Sequence, residues 1–173
     1  MKLTKLSFLF SLIVGLLVCA SAFAQSQTFN NADVEYTFEL PEAAWKMTVT
    51  PSRTSPNVEY VYGDRKDGHL EIRKLSLSPN QSLDDLIRDE ETKLQFNLGF
   101  VAGKEENFKG AMNGKVYNYE FVRSGRNMSG RFYFFQTGDD IYVLRFDGER
   151  SKLRSIRNQT DSIARTFSLK KVK

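Results

Sequence analysis

A chain of 173 residues, 40% hydrophobic and 27% charged, is the size of one globular domain with room for a packed core. Its formal charge of +4 is too near balance to point to nucleic acid. One histidine and one cysteine leave histidine–cysteine zinc sites and Ser-His-Asp or Cys-His catalysis without most of their parts.

The N-terminal stretch reads as a secretory signal peptide over residues 1–24. Lys2 and Lys5 supply the charged start, Leu6 to Val18 is almost wholly apolar, and Ala22-Phe23-Ala24 is an A-x-A cleavage pattern. The apolar run is about a dozen residues, short of the ~20 that span a bilayer, so no membrane span is expected after cleavage. Cys19 lies inside this segment, and the β-branched Val18 before it disfavours a lipoprotein acylation site. Cleavage after Ala24 leaves a single domain from Gln25 to Lys173, without thiol or disulfide, exported to the periplasm or the extracellular space. Removing Lys2 and Lys5 leaves 23 basic residues against 21 acidic, a net +2.

From Phe29 to Leu40, Val34, Tyr36, Phe38 and Leu40 alternate with Asp33, Glu35, Thr37 and Glu39, which predicts one half-buried strand ended by Pro41. Trp45 to Val49 is a second short strand, stopped by Pro51. Val58 to Tyr62 and His69 to Ser78, joined through Gly63 to Gly68, predict an antiparallel pair. Ser82 opens a helix to about Leu98, with Asp85 at capping-box spacing and Leu83, Leu86, Ile87 and Leu94 on one face. From Phe100 the chain turns polar and glycine-punctuated, a loop on this reading, until the strand Val116 to Val122.

Gly130 to Asp147 is the organising stretch: two aromatic and β-branched runs around Gly138-Asp139-Asp140, a strong hairpin signal. Both arms are apolar on both faces, which places them mid-sheet beneath two covering layers. Trp45, Phe132, Phe134, Leu144 and Phe146 are the candidate core. From Glu149 to Arg165, Leu153, Ile156, Thr160 and Ile163 recur at intervals of three and four, predicting a second amphipathic helix.

Few residues invite chemistry. His69 follows a glycine-containing turn and reads as an ordinary strand-edge residue. Asp84, Asp85, Asp89, Glu90 and Glu91 spread over more than one helix face, whereas a divalent cation needs converging oxygens; a solvated face is expected. No Gly-rich phosphate cradle follows a strand. Asn80, Asn127 and Asn158 stand in glycosylation acceptor patterns, relevant only to a eukaryotic secretory pathway. Arg150, Arg154 and Arg157, at spacings of four and three, form one stripe on the second helix. It is either a solvated face or a docking patch for an acidic partner or anionic lipid headgroups. No catalytic residues, metal or cofactor are expected.

The elements also carry a family likeness. Leu40-Pro41 with Trp45 just beyond, Leu70-Glu71-Ile72, Ser82-Leu83-Asp84-Asp85-Leu86, Gly110 to Tyr117, the Tyr133 to Phe146 hairpin and the closing Thr166-Phe167 resemble the PsbP-like family, which includes an extrinsic subunit of the photosynthetic oxygen-evolving complex. The resemblance spans most of Phe29 to Phe167. It implies an α+β fold, an antiparallel sheet flanked by helices on both sides, and a non-enzymatic role in assembling or stabilising other proteins. The chain departs from the photosynthetic members in having only Gln25 to Thr28 before its first strand instead of an extended arm, so a photosystem role is not expected. Together these readings predict a monomeric, exported binding or assembly-accessory domain acting on envelope proteins or complexes. The alternative is a carrier for an apolar or anionic small ligand such as a lipid.

Overall fold

The computed structural model describes residues 26–171. The expected leader, its cleavage point at Ala24 and Cys19 lie outside them. The strands are β1 (Gln27–Asn30), β2 (Tyr36–Leu40), β3 (Trp45–Val49), β4 (Val58–Tyr62), β5 (His69–Ser76), β6 (Val101–Phe108), β7 (Gly114–Arg123), β8 (Arg126–Thr137), β9 (Asp140–Glu149) and β10 (Ser168–Leu169). The helices are α1 (Leu83–Leu94), α2 (Arg150–Ser155) and α3 (Arg157–Thr166).

Seven strands form one antiparallel sheet in the order β3-β4-β5-β9-β8-β7-β6, and β1-β2-β10 form a small second sheet. The expected hairpin is β8–β9, and β9 occupies the middle of the large sheet. Thr137 pairs with Asp140, so Gly138 and Asp139 make a two-residue loop, with Gly138 at φ +59° where a mirror-image turn requires a positive angle. A Cβ at Gly138 would meet no neighbour within 4 Å, so only the backbone penalty acts there. Gly138→Ala is therefore expected to lower the unfolding free energy by about 1–2 kcal/mol in a denaturant titration. An unchanged midpoint would mean the turn relaxes to another form.

Alternation along β8 divides the core. Tyr133 and Phe135 join Leu144 and Phe146 of β9, Trp45, Leu70, Ile72 and the small sheet's Tyr36 and Phe38 in one cluster, together with Leu153, Ile156, Ile163 and Phe167. Phe132 and Phe134 join Ile141 and Val143 in the other, with Leu86, Ile87 and Leu94 of α1. Trp45, Phe132, Phe134, Leu144 and Phe146 are all buried, as their pattern predicts.

Several strand ends shift by a few residues and β10 is an added short strand, but the larger departures from the sequence reading are four. Phe29 to Leu40 is a hairpin, β1 then β2, because the Asn31 carboxamide oxygen accepts from the Asp33 amide and turns the chain. Helix α1 has the expected capping box, Ser82 with Asp85, but stops at Leu94, whose carbonyl accepts from both the backbone and side chain of Asn97. The last helix breaks at Ile156, φ −101° and ψ 14°, into α2 and α3. The polar stretch after Phe100 is β6, an edge strand exposed except at Phe108, held by pairing to β7 with an irregular register between Ala102 and Glu105. Its apolar pattern is weak because one edge and most side chains face water.

Candidate functional site: an arginine-lined cleft

Leu153 and Ile156 bury themselves in the core, Ile156 against Gly68 of the β4–β5 turn, which fixes α2 over β8 and β9. The space left beneath is a cleft of about 400 Å³. Val101, Asn118 and Glu120 form part of its strand side, and Arg150, Arg154 and Arg157 its helix side. The stripe predicted from sequence therefore lines a concavity, and the helix break keeps all three residues on it.

The cleft floor holds a charge the periodicity did not single out. Arg131 is only 8% exposed. Its Nε donates to Asn118 Oδ1 at 2.7 Å, and its Nη1 donates to Asp161 Oδ1 at 2.5 Å and to the Tyr133 hydroxyl at 3.2 Å. Tyr133 in turn donates to Asp161. Burial, with the Asp161 carboxylate close by, pushes the Tyr133 hydroxyl far above its ordinary range and keeps it a donor. The sequence signal was a lone arginine between Gly130 and Phe132 in an otherwise apolar arm.

Four arginines against Glu120 leave the lining net positive. Arg150 Nε pairs with Glu120 Oε1 at 3.1 Å. Arg154 and Arg157 are exposed and, among the described residues, have no carboxylate at ion-pair distance. A guanidinium with open donors suits bidentate contact to a carboxylate or phosphate. A second groove of about 420 Å³, lined by Arg126, Asn127, Glu149 and Ser151, shares Arg150 and Arg154, so these two stand between two concavities.

The other candidates lie elsewhere. His69 is not an ordinary strand-edge residue: it is 4% exposed, with Nε2 2.9 Å from Glu59 Oε2 and Nδ1 3.8 Å from Asp147 Oδ2. In the acidic run of α1, Asp84 and Asp89 are exposed, but Glu90 is 4% exposed and paired at 2.7 Å with both Arg73 and Lys93, so it departs from the expected solvated face. Among the described residues no group of three or more His, Cys, Asp or Glu side chains is placed to hold a metal ion. No helix among them is long and apolar enough to cross a membrane. Asn80, Asn127 and Asn158 are exposed.

Neither a family model nor a curated protein matches the sequence. Solved structures do. Cyanobacterial PsbP from Synechocystis aligns over 87% of this chain and 95% of its own, at 13% identity and a TM-score of 0.60. The Ran-binding protein Mog1p of Saccharomyces cerevisiae aligns over 84% and 96%, at 9% identity and 0.60. LpqN of Mycobacterium tuberculosis, described as involved in cell envelope biogenesis, aligns over 85% and 91%, at 14% identity and 0.54. At such identities the likeness is one of fold, and the fold of this chain, mostly antiparallel sheet with a few helices, is PsbP-like.

Proposed function

We propose that this protein is an exported, non-enzymatic binding or assembly-accessory domain of the cell envelope, which engages an anionic group of its partner in the arginine-lined cleft. The observation that carries the reading is the pair of exposed arginines, Arg154 and Arg157, lining a concavity without a carboxylate partner among the described residues. Surface arginines are commonly solvated singly or paired with acids, whereas a concave cluster left positive favours an anionic occupant. The guanidiniums of the lining, set beside the Asn118 carboxamide, are groups suited to holding an anion, and we read the cleft as a recognition surface. We read the large sheet as covered by helices on both faces, α1 over one cluster and α2 with α3 over the other, a rigid frame for such a surface. Mog1p's description as Ran-binding and LpqN's link to the envelope are consistent with this use of the fold.

A second reading, a carrier for a small anionic ligand such as a lipid, draws on the cleft volume, which lies within the range of ligand pockets, about 300–1,000 Å³.

Arg150, Arg154 and Arg157 changed together to Ser separates recognition from stability. Exposed pairs contribute about 0–1 kcal/mol each, so the denaturant midpoint should shift little, the Arg150–Glu120 pair being the one ion pair lost among the described residues. Affinity capture from the cell envelope is then run with parent and variant at low and high salt. A component held by the parent, released by salt and not held by the variant supports the proposal. Equal recovery by both proteins would remove the cleft arginines from function.

A further inference from the structure

Phe96, Leu98 and Val101 are 88%, 76% and 57% exposed, the most exposed large apolar side chains among the described residues. They fall within six positions, in the loop leaving α1 and at the start of β6. The loop is held in place. Asn97 bonds back to Leu94, Phe100 N–H donates to the Asn97 carbonyl, and Val122 N–H donates to the Leu98 carbonyl at 2.7 Å. Gly99, at φ +63°, makes the bend against the Val122 side chain. Order so well fixed without burial means the exposure is part of the native surface.

These residues adjoin the arginines. Val101 itself lines the cleft, and its partner across the ladder, Glu120, receives Arg150. Val122, which holds Leu98, pairs with Asn127, and Asn127 lines the second groove with Arg126, Arg150 and Arg154. An apolar rim and a net positive cleft therefore share one end of the sheet.

We propose that this end of the molecule is a peripheral membrane-docking surface, seating the phosphate of an anionic phospholipid on Arg154 and Arg157 while Phe96 and Leu98 enter the acyl boundary. The assignment rests on the proposed function's reading of the cleft as an anion site and names its partner. Side chains exposed to this degree project singly, and a protein partner would need a shaped pocket for each, whereas a fluid acyl layer accepts projections of any shape. The same layer carries phosphates immediately above it, where the neighbouring guanidiniums lie. Apolar anchors beside basic residues are the pattern that binds bilayer interfaces, the two contributions adding.

Flotation of the protein purified from the exported fraction, with vesicles of phosphatidylcholine alone or mixed with phosphatidylglycerol, tests this. Glycerol phosphate in solution serves as the soluble probe. Binding is expected only to the anionic vesicles. Phe96→Ser with Leu98→Ser should weaken it about tenfold or more while leaving the melting midpoint in place, since neither side chain is packed. Arg154→Ser with Arg157→Ser should weaken it about tenfold or more at low salt and flatten its salt dependence. No vesicle binding, or binding indifferent to Phe96 and Leu98, overturns the proposal. Glycerol phosphate bound as tightly as the vesicles also overturns it, in favour of a free small anion. Absent vesicle binding with arginine-dependent envelope capture intact rejects only the membrane surface; loss of both rejects the cleft as an anion site.

Discussion

Replacing Phe134 by alanine is expected to lower the unfolding free energy by about 3–5 kcal/mol, a large share of the ~5–15 kcal/mol that holds a domain of this size together. Phe134 is fully buried on β8, paired with Lys115 of β7 on one side and Val143 of β9 on the other. Its ring lies 5.4 Å from that of Phe132, in the cluster that receives Leu86, Ile87 and Leu94. Strands bonded on both sides cannot shift to fill the space left by a benzyl group, so lost transfer free energy and cavity cost add. A denaturant titration measures the loss directly. A midpoint equal to that of the parent would show that the ring contributes no packing.

Asp147→Ala is expected to cost about 3 kcal/mol, for an electrostatic reason. The Asp147 carboxylate is 4% exposed and lies 3.1 Å from Arg123 Nη2, 3.3 Å from Arg145 Nε and 3.8 Å from His69 Nδ1. Opposite it, Gly130 has no side chain, and the Tyr119 ring occupies that place, since a Cβ on Gly130 would fall 2.0 Å from Tyr119 Cζ. The Tyr119 hydroxyl then accepts from Arg145 Nε at 3.0 Å. Removing the carboxylate leaves clustered cations without their counter-charge, an effect of about 3–5 kcal/mol when a buried pair is broken. The lower end applies because Arg123 is about half exposed and can turn to water.

The same cluster sets a pH signature. Burial pulls the His69 pKa down, but Asp147 and Glu59 outweigh it and raise it above the ordinary 6.5. A raised histidine stabilises fully below its unfolded value, and that contribution is lost as pH rises through the folded one. Burial pushes Asp147 up, but His69, Arg145 and Arg123 outweigh it and hold it below the ordinary 3.8. Its contribution is present above 3.8 and is lost as pH falls through the lowered value. The cluster therefore stabilises most between about pH 4 and 6.5, and the melting midpoint should decline on both sides. In Asp147→Ala the decline above pH 6.5 should shrink, because His69 retains only Glu59. An alkaline limb identical in both proteins would exclude His69 from the coupling.

The sequence by itself determined the elements whose signal is local or periodic. The β8–β9 hairpin, its glycine turn, the capped start of α1, the five core side chains and the arginine stripe were legible because alternation, capping and helical spacing reflect which face is buried. Only the tertiary structure decided the remainder. β6 is polar and exposed, and becomes a strand because β7 offers it a ladder. The break at Ile156 satisfies the same apolar intervals as an unbroken helix, so spacing could not reveal it. Arg131 became the floor of a cleft, and His69 part of a buried charge network, through Asn118, Asp161, Glu59 and Asp147, each at least ten residues away in the chain. Burial of a charge depends on which distant groups arrive to pair with it, and no local pattern records that.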